Sequence, residues 1–169
     1  YETVLEYMQG WPKFTDIQAT ITMDKDRIEV TPQTAKMYDS KLTQAKLVIP
    51  SFLQAVLDGQ GTLEGDGQNL IHFLADSGLV EKKNSVADQI SLQGNTQLEL
   101  AFTKSLTEKN PLPFEVSGEI GFDDNTLNIH AVQLALSKVD GAVSFDQEGA
   151  QADQLSATLY EQPIILSAR

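Results

Sequence analysis

The chain has 169 residues, 41% of them apolar, with 24 acidic against 12 basic side chains and a formal net charge of −12. That length suits one domain or one section of a larger repetitive one. The charge argues against nucleic acid, which needs a positive patch to release condensed counterions, and disfavours docking on an anionic membrane surface. No cysteine is present, which removes disulfides, thiolate metal sites and cysteine nucleophiles together and fits a cytosolic or a periplasmic setting equally. No apolar run approaches the ~20 residues needed to cross a bilayer. The chain opens at Tyr1 and carries no signal peptide, so it reads as a fragment or processed product whose targeting element lies elsewhere.

Period-2 alternation dominates from the start. A short N-terminal strand around Thr3 and Leu5 leads to a turn at Trp11-Pro12, and Ile17, Ala19, Ile21 and Met23 then alternate strictly with polar residues. Asp24-Lys25-Asp26 turns the chain, and Ile28 and Val30 begin the return strand. Ala45, Leu47 and Ile49 continue the apolar face, and Leu53, Ala55 and Leu57 lead into Gly59, Gly61 and Leu63. Glycine at an inward position lowers the wall of a sheet or marks a bend or bulge.

The period changes at Asn69. Leu70, Ile71, Phe73 and Leu74 follow helical spacing, with Asp66 or Asn69 as cap and Gly78 as stop, which predicts a short amphipathic helix over 69–77. Glu81 to Asp88 reads as a loop. Strands resume with Ile90, Leu92, Thr96, Leu98, Leu100 and Phe102, pause in a polar loop from Lys104 to Asn110, and run on from Phe114 to Leu166. Strands of eight to ten residues span roughly 25–35 Å, and an apolar side that long needs a cover.

One unit occurs three times with the same spacing: Ala19 to Asp24 followed by Ile28 and Val30, Gly118 to Asp123 followed by Leu127 and Ile129, and Gly141 to Asp146 followed by Ala150 and Ala152. Each reads as strand, polar turn, strand, which is a β-hairpin. The fold class is therefore mainly all-β: a long antiparallel meander of repeated hairpins with one short helix. Alternation alone fits two arrangements equally, a sheet curled into an open half-barrel and a closed sandwich or barrel whose apolar faces cover each other.

Catalytic chemistry finds no foothold. His72 and His130 stand apart with no second histidine one helical turn away, and no nucleophile elbow, phosphate loop or dinucleotide fingerprint is present. The run Gly59-Gln60-Gly61 to Gly65 has the wrong spacing for a nucleotide site. Asp24, Asp123 and Asp146 sit at equivalent hairpin ends, where turn chemistry accounts for them better than Ca²⁺ binding. Phe114, Phe122 and Phe145 share parity with the aliphatic face and belong to wall or core, not to a carbohydrate platform.

The hairpin units, Pro111-Leu112-Pro113-Phe114 before Gly118 to Asp123, Val139 to Phe145, and Ala157 to Ile164 together resemble the repeats of the YhdP branch of the AsmA-like proteins. The stretch Leu5 to Pro12 is similar to one that precedes such a repeat. The resemblance covers nearly the whole chain. It implies that residues 1–169 form one β-repeat segment inside a larger periplasmic protein anchored in the inner membrane of a Gram-negative bacterium. It also implies a taco-like groove with an apolar interior that conducts phospholipids toward the outer membrane, with no catalytic residues and no cofactor.

On that view acyl chains are the partners of the inward residues Ile17, Ala19, Ile21, Met23, Leu47, Ile49, Val116, Ile120, Phe122, Leu134, Val143 and Phe145. The helix then plugs one end or packs against the sheet edge. Further partners are the neighbouring β-repeats of the same chain and envelope proteins; the alternative function is a ligand-free β-sandwich or a scaffold module that recruits a protein by strand addition at an open edge.

Overall fold

The computed structural model describes residues 12–77, 86–107 and 111–168. The N-terminal strand and turn expected before Pro12, the Gly78 stop and the tip of the loop near Asn110 lie outside them. Strands β1 (Thr15–Asp24), β2 (Arg27–Met37), β3 (Ser40–Ile49), β4 (Val56–Asp66), β5 (Ile90–Gln93), β6 (Asn95–Ser105), β7 (Glu115–Ile129), β8 (Leu134–Asp146), β9 (Ala150–Leu159) and β10 (Gln162–Ala168) form one antiparallel sheet. Strand order follows chain order, except that β5 and β6 lie end to end along β7, parted at Gly94. Among the described residues β1 pairs only with β2 and β10 only with β9, so the sheet is not closed into a barrel. All ten strands belong to this sheet, which sets aside the closed sandwich.

Two of the three repeated units are hairpins. Asp24 and Arg27 close the β1–β2 turn, and Asp26 accepts hydrogen bonds from the Ser51 hydroxyl (2.6 Å) and the Phe52 amide (3.1 Å), tying that turn to the β3–β4 loop. In the β8–β9 turn the Asp146 carboxylate accepts the amides of Glu148 (2.7 Å) and Gly149 (3.2 Å), the local turn bonding for which aspartate is suited.

The middle unit is not a hairpin. β7 runs unbroken through Asp123-Asp124-Asn125, which form a bulge with Asp124 at φ 54°. The physical reason is Asn125, whose side chain is fully buried. Its amide nitrogen donates to the carbonyls of Gln93 and Asn95 (both 3.1 Å) and to Thr96 Oγ1 (3.0 Å), and its Oδ1 accepts the Asp123 amide (2.8 Å). The polar run is thus satisfied inside the sheet, bridging the break between β5 and β6, where Gly94 takes φ 104°.

Residues with positive φ inside strands recur at Asp16, Gln44 and Lys138, each beside a slip in pairing register. A bulge moves the apolar parity by one and adds twist to the strand. Hence β7 faces inward through Ile120 and Phe122, then through Asn125 and Leu127, and β8 through Leu136, then Val139 and Val143.

Four expectations change in detail. Leu53 and Ala55 lie in the β3–β4 loop, with Leu53 94% exposed, because the strand ends at Ile49 ahead of Pro50. The helix α1 spans Gly67–Ser77, beginning two residues early because Asp66 Oδ1 accepts the Gln68 amide at 2.9 Å. A second helical turn, α2 (Val86–Gln89), occupies the end of the stretch read as loop, and β6 extends to Ser105.

α1 is tied to β5, which among the described residues pairs only with β7: the Leu92 amide donates to Gln68 Oε1 (3.2 Å). The helix lies on the inner face, where Leu70, Phe73 and Leu74 pack on Met37, Leu63, Leu98 and Ile120. A second cluster joins Phe102 and Val116 to Leu47, Leu57 and Leu100. A third, beyond the bulges, joins Leu136, Val139 and Ala157 to Leu127, Leu134, Leu159, Ile164 and Leu166, so that β7 to β10 cover one another.

Replacing Asn125 by Ala strips the β5–β6 break of its bridge. Chemical denaturation should register a loss of about 1–3 kcal/mol, the cost of two carbonyls, the buried Thr96 hydroxyl and the Asp123 amide losing their partner.

Candidate functional site

Part of the inner face is not filled. Ile17, Ala19 and Ile21 of β1, Val30, Pro32 and Ala35 of β2, Leu42, Ala45 and Leu47 of β3, Leu63 of β4, and Leu100 and Phe102 of β6 surround a cavity of about 260 Å³. Phe14, Gly61 and Phe73 complete it, and Gln60 is the one polar residue on its lining. In a flat sheet β1 and β6 would stand about 19 Å apart, four strand spacings of ~4.8 Å. That both strands bound so small a space shows that the sheet curls over it.

Small residues hollow the floor. Ala35, Ala45 and Gly61 sit on three adjacent strands, and a Cβ on Gly61 would come within 3.1 Å of Leu42 Cδ1 and 3.2 Å of the Ala45 Cβ. Two other inward glycines act differently. The Phe102 ring lies over its cross-strand partner Gly59 and the Phe145 ring over Gly118, where an added Cβ would meet ring carbons at 2.3 Å and 2.5 Å. An aromatic ring laid across a strand glycine restores the packing that the missing side chain forfeits. So glycine lowers the wall at Gly61 and seats an aromatic at Gly59 and Gly118.

The candidate residues read from sequence divide into groups. Ile17, Ala19, Ile21 and Leu47 meet in the cavity. Met23 stands at the end of β1, 69% exposed, and Ile49 is half-buried at the end of β3. Val116 is buried against Phe102, Ile120 lies under α1, and Phe122 and Phe145 pack against that same cluster. Val143 is half-buried opposite Ile120, and Leu134 belongs to the self-covered core of β7 to β10. Sequence reasoning did not nominate Pro32, Ala35, Leu42 and Phe73. Pro32 continues the parity of Ile28 and Val30, Ala35 and Leu42 lie across a change of parity in β2 and β3, which no residue type announces, and Phe73 sits on the helix.

No titratable side chain lines the cavity. Charges gather on the outer face, where Lys46 and Arg27 both reach Glu29 (2.8 and 3.0 Å) and Lys36 reaches Asp16 (2.9 Å). Hydrogen bonds from Lys46 and then Arg27 hold the Glu29 carboxyl below its ordinary range. Such exposed pairs contribute about 0–1 kcal/mol each. Tyr38 donates to the Asp76 carboxylate at 2.6 Å, tying the end of α1 to the β2–β3 turn, and burial followed by that bond raises its hydroxyl well above the usual phenol. His72 and His130 are exposed, and among the described residues no cluster of three or more His, Cys, Asp or Glu could hold a metal. This arrangement can remove apolar matter from water; it offers no acid, base or nucleophile at the cavity.

A sequence profile of the family described as YhdP protein matches residues 1–169. The chain belongs to the YhdP family. It is 19% identical over 158 residues to the intermembrane phospholipid transporter YhdP of Escherichia coli (strain K12), a match that covers 94% of this chain and 12% of that protein. That relative is named as a lipid transporter, and the present member of the family spans only a small part of its length. No solved structure matches the chain. No helix among the described residues is long and apolar enough to cross a membrane.

The groove and the covered face should respond oppositely to charge. Ile21 is 67% exposed, so Ile21→Asp should change unfolding free energy by no more than about 0.5 kcal/mol. Ile120→Asp buries a carboxylate beneath α1 and should cost about 3 kcal/mol or more, or abolish folding, in the same denaturation experiment.

Proposed function

We propose that this chain is one section of a periplasmic β-groove that conducts phospholipids between the inner and outer membranes of a Gram-negative bacterium. Its residues 1–169 act as a β-repeat segment of a longer protein whose membrane anchor lies elsewhere in that protein. The observation that carries this reading is the unfilled apolar cavity on the inner face of an open sheet in a member of the YhdP family. Acyl chains lie against Ile17, Ile21 and Leu47, and headgroups stay at the hydrated margin, where the strand turns carry Asp24, Lys25 and Asp26.

The energetics suit passage. Each methylene taken out of water is worth ~0.8 kcal/mol, so a lipid needs only a continuous apolar strip to be retained. Without a charged partner on the lining, no single point holds the headgroup, and the affinity is spread over many similar contacts. The acidic outer face keeps the exposed side of the sheet in water. The curl contributes by shielding one strip of the sheet, so that the acyl chain meets side chains on several strands at once.

Photo-crosslinking residues placed in the full-length protein, in cells fed labelled phospholipid, test this directly. Inward Ile21 and Leu47 should give lipid adducts, and outward Thr22 and Lys46 should not. Equal labelling at all four positions, or none at any with the crosslinker shown to be reactive, would refute a lipid-lined groove here.

A further inference from the structure

The cavity has one wall that does not come from the sheet. Every other lining residue belongs to β1, β2, β3, β4, β6 or the segment just before β1, whereas Phe73 projects from α1. Phe73 is 1% exposed and packs on Met37, Leu63, Leu98 and Ile120. Leu63 pairs across the sheet with Leu98, and Leu98 with Ile120, so one row of apolar side chains runs from the cavity to beneath the helix. The open groove and the covered row are therefore parts of one apolar strip, divided at the Phe73 ring.

α1 is pinned at both ends. At its start the Gly67 amide donates to the Gly94 carbonyl (2.9 Å) and Gln68 Oε1 accepts the Leu92 amide (3.2 Å). Gly67 has no room for a side chain, since a Cβ there would lie 2.5 Å from Leu92 Cγ. Toward its end Asp76 receives the Tyr38 hydroxyl (2.6 Å). A helix held this way is a fixed bulkhead, unlike a lid on a free hinge.

We infer that Phe73 is the end stop of the groove, the residue against which the terminal methyl of a bound acyl chain halts, and that it fixes how much of a chain this section takes up. The inference rests on the lipid reading above and adds to it a residue that sets selectivity. Along β4 the cavity runs from the Leu63 row to the Gly59 row, four residues or about 13 Å of strand. Within that depth each added methylene should tighten binding roughly fourfold, equivalent to ~0.8 kcal/mol, and beyond it the gain should cease.

The test uses the full-length protein and phospholipids carrying a diazirine at the tip of one acyl chain, with adduct positions read by mass spectrometry. In the natural protein, adducts should fall on Phe73, Leu42 and Leu63 and be absent from Leu98 and Ile120. In Phe73→Ala they should move to Leu98 and Ile120, with at least a tenfold preference gained for stearoyl over myristoyl chains. Phe73→Leu, which keeps an apolar side chain on the helix, should shift the pattern in the same direction if the alanine variant fails to fold. Adducts on Ile120 in the natural protein, or a pattern that neither folded variant alters, would overturn the end stop while leaving lipid binding intact. Absence of adducts anywhere on the section, with the probe reactive, would overturn both readings.

Discussion

A sheet with one apolar face and no second sheet to meet it must dispose of that face some other way. Every feature of this chain follows from that constraint. The inner face is covered in the middle by α1, through Leu70, Phe73 and Leu74. At the far strands it is covered by its own curl, which brings Leu136, Val139 and Ala157 against Leu159, Ile164 and Leu166. Over β1 to β4 and β6 the curl leaves an unfilled cavity. Hydrophobic burial stabilises the first two regions, and what it leaves undone in the third is the capacity to take a ligand.

The same constraint explains where small and large residues stand. Ala35, Ala45 and Gly61 form a floor that a bulkier set would have filled, and the Phe102 ring over Gly59 keeps the neighbouring wall dense. Bulges at Asp16, Gln44, Asp124 and Lys138 place residues of either parity on the inner side as the strands lengthen. They add to the twist intrinsic to strands of up to 15 residues, which favours the bending of the edge strand β1 toward β6. Charge sits outside, in exposed pairs such as Lys46 with Glu29, where it opposes aggregation of a long sheet and contributes little to holding it together.

Much of this was legible in the residues. Strict alternation over Ile17 to Met23 and Val116 to Phe122 specifies strands with one apolar face, and the break at Asn69 to Leu74 specifies a helix, because each period is a direct consequence of backbone geometry. What the alternation conceals is cover. Ile21 and Ile120 are the same residue type at the same place in equivalent units, yet one is 67% exposed and the other lies beneath α1. That difference is set by where a helix lands some fifty residues away, which no local pattern encodes. The middle unit shows a second limit. Asp123-Asp124-Asn125 has the chemistry of a turn, and only the gap at Gly94 on the adjoining strand line gives Asn125 the partners that make it a bulge. Parity shifts likewise hid Ala35 and Leu42, which lie across the register irregularities of β2 and β3 from the residues read as inward.

The central claim is that the inner face over β1 to β4 stays open and accepts an acyl chain. Fluorescence from a polarity-sensitive dye on a cysteine introduced at Leu47 of the full-length protein, titrated with phospholipid bearing a mid-chain nitroxide, tests it most directly. The account predicts strong quenching at Leu47 and little at a control cysteine replacing Lys46, whose side chain reaches Glu29 on the outer face. Equal quenching at the two positions, or none at Leu47, would contradict it.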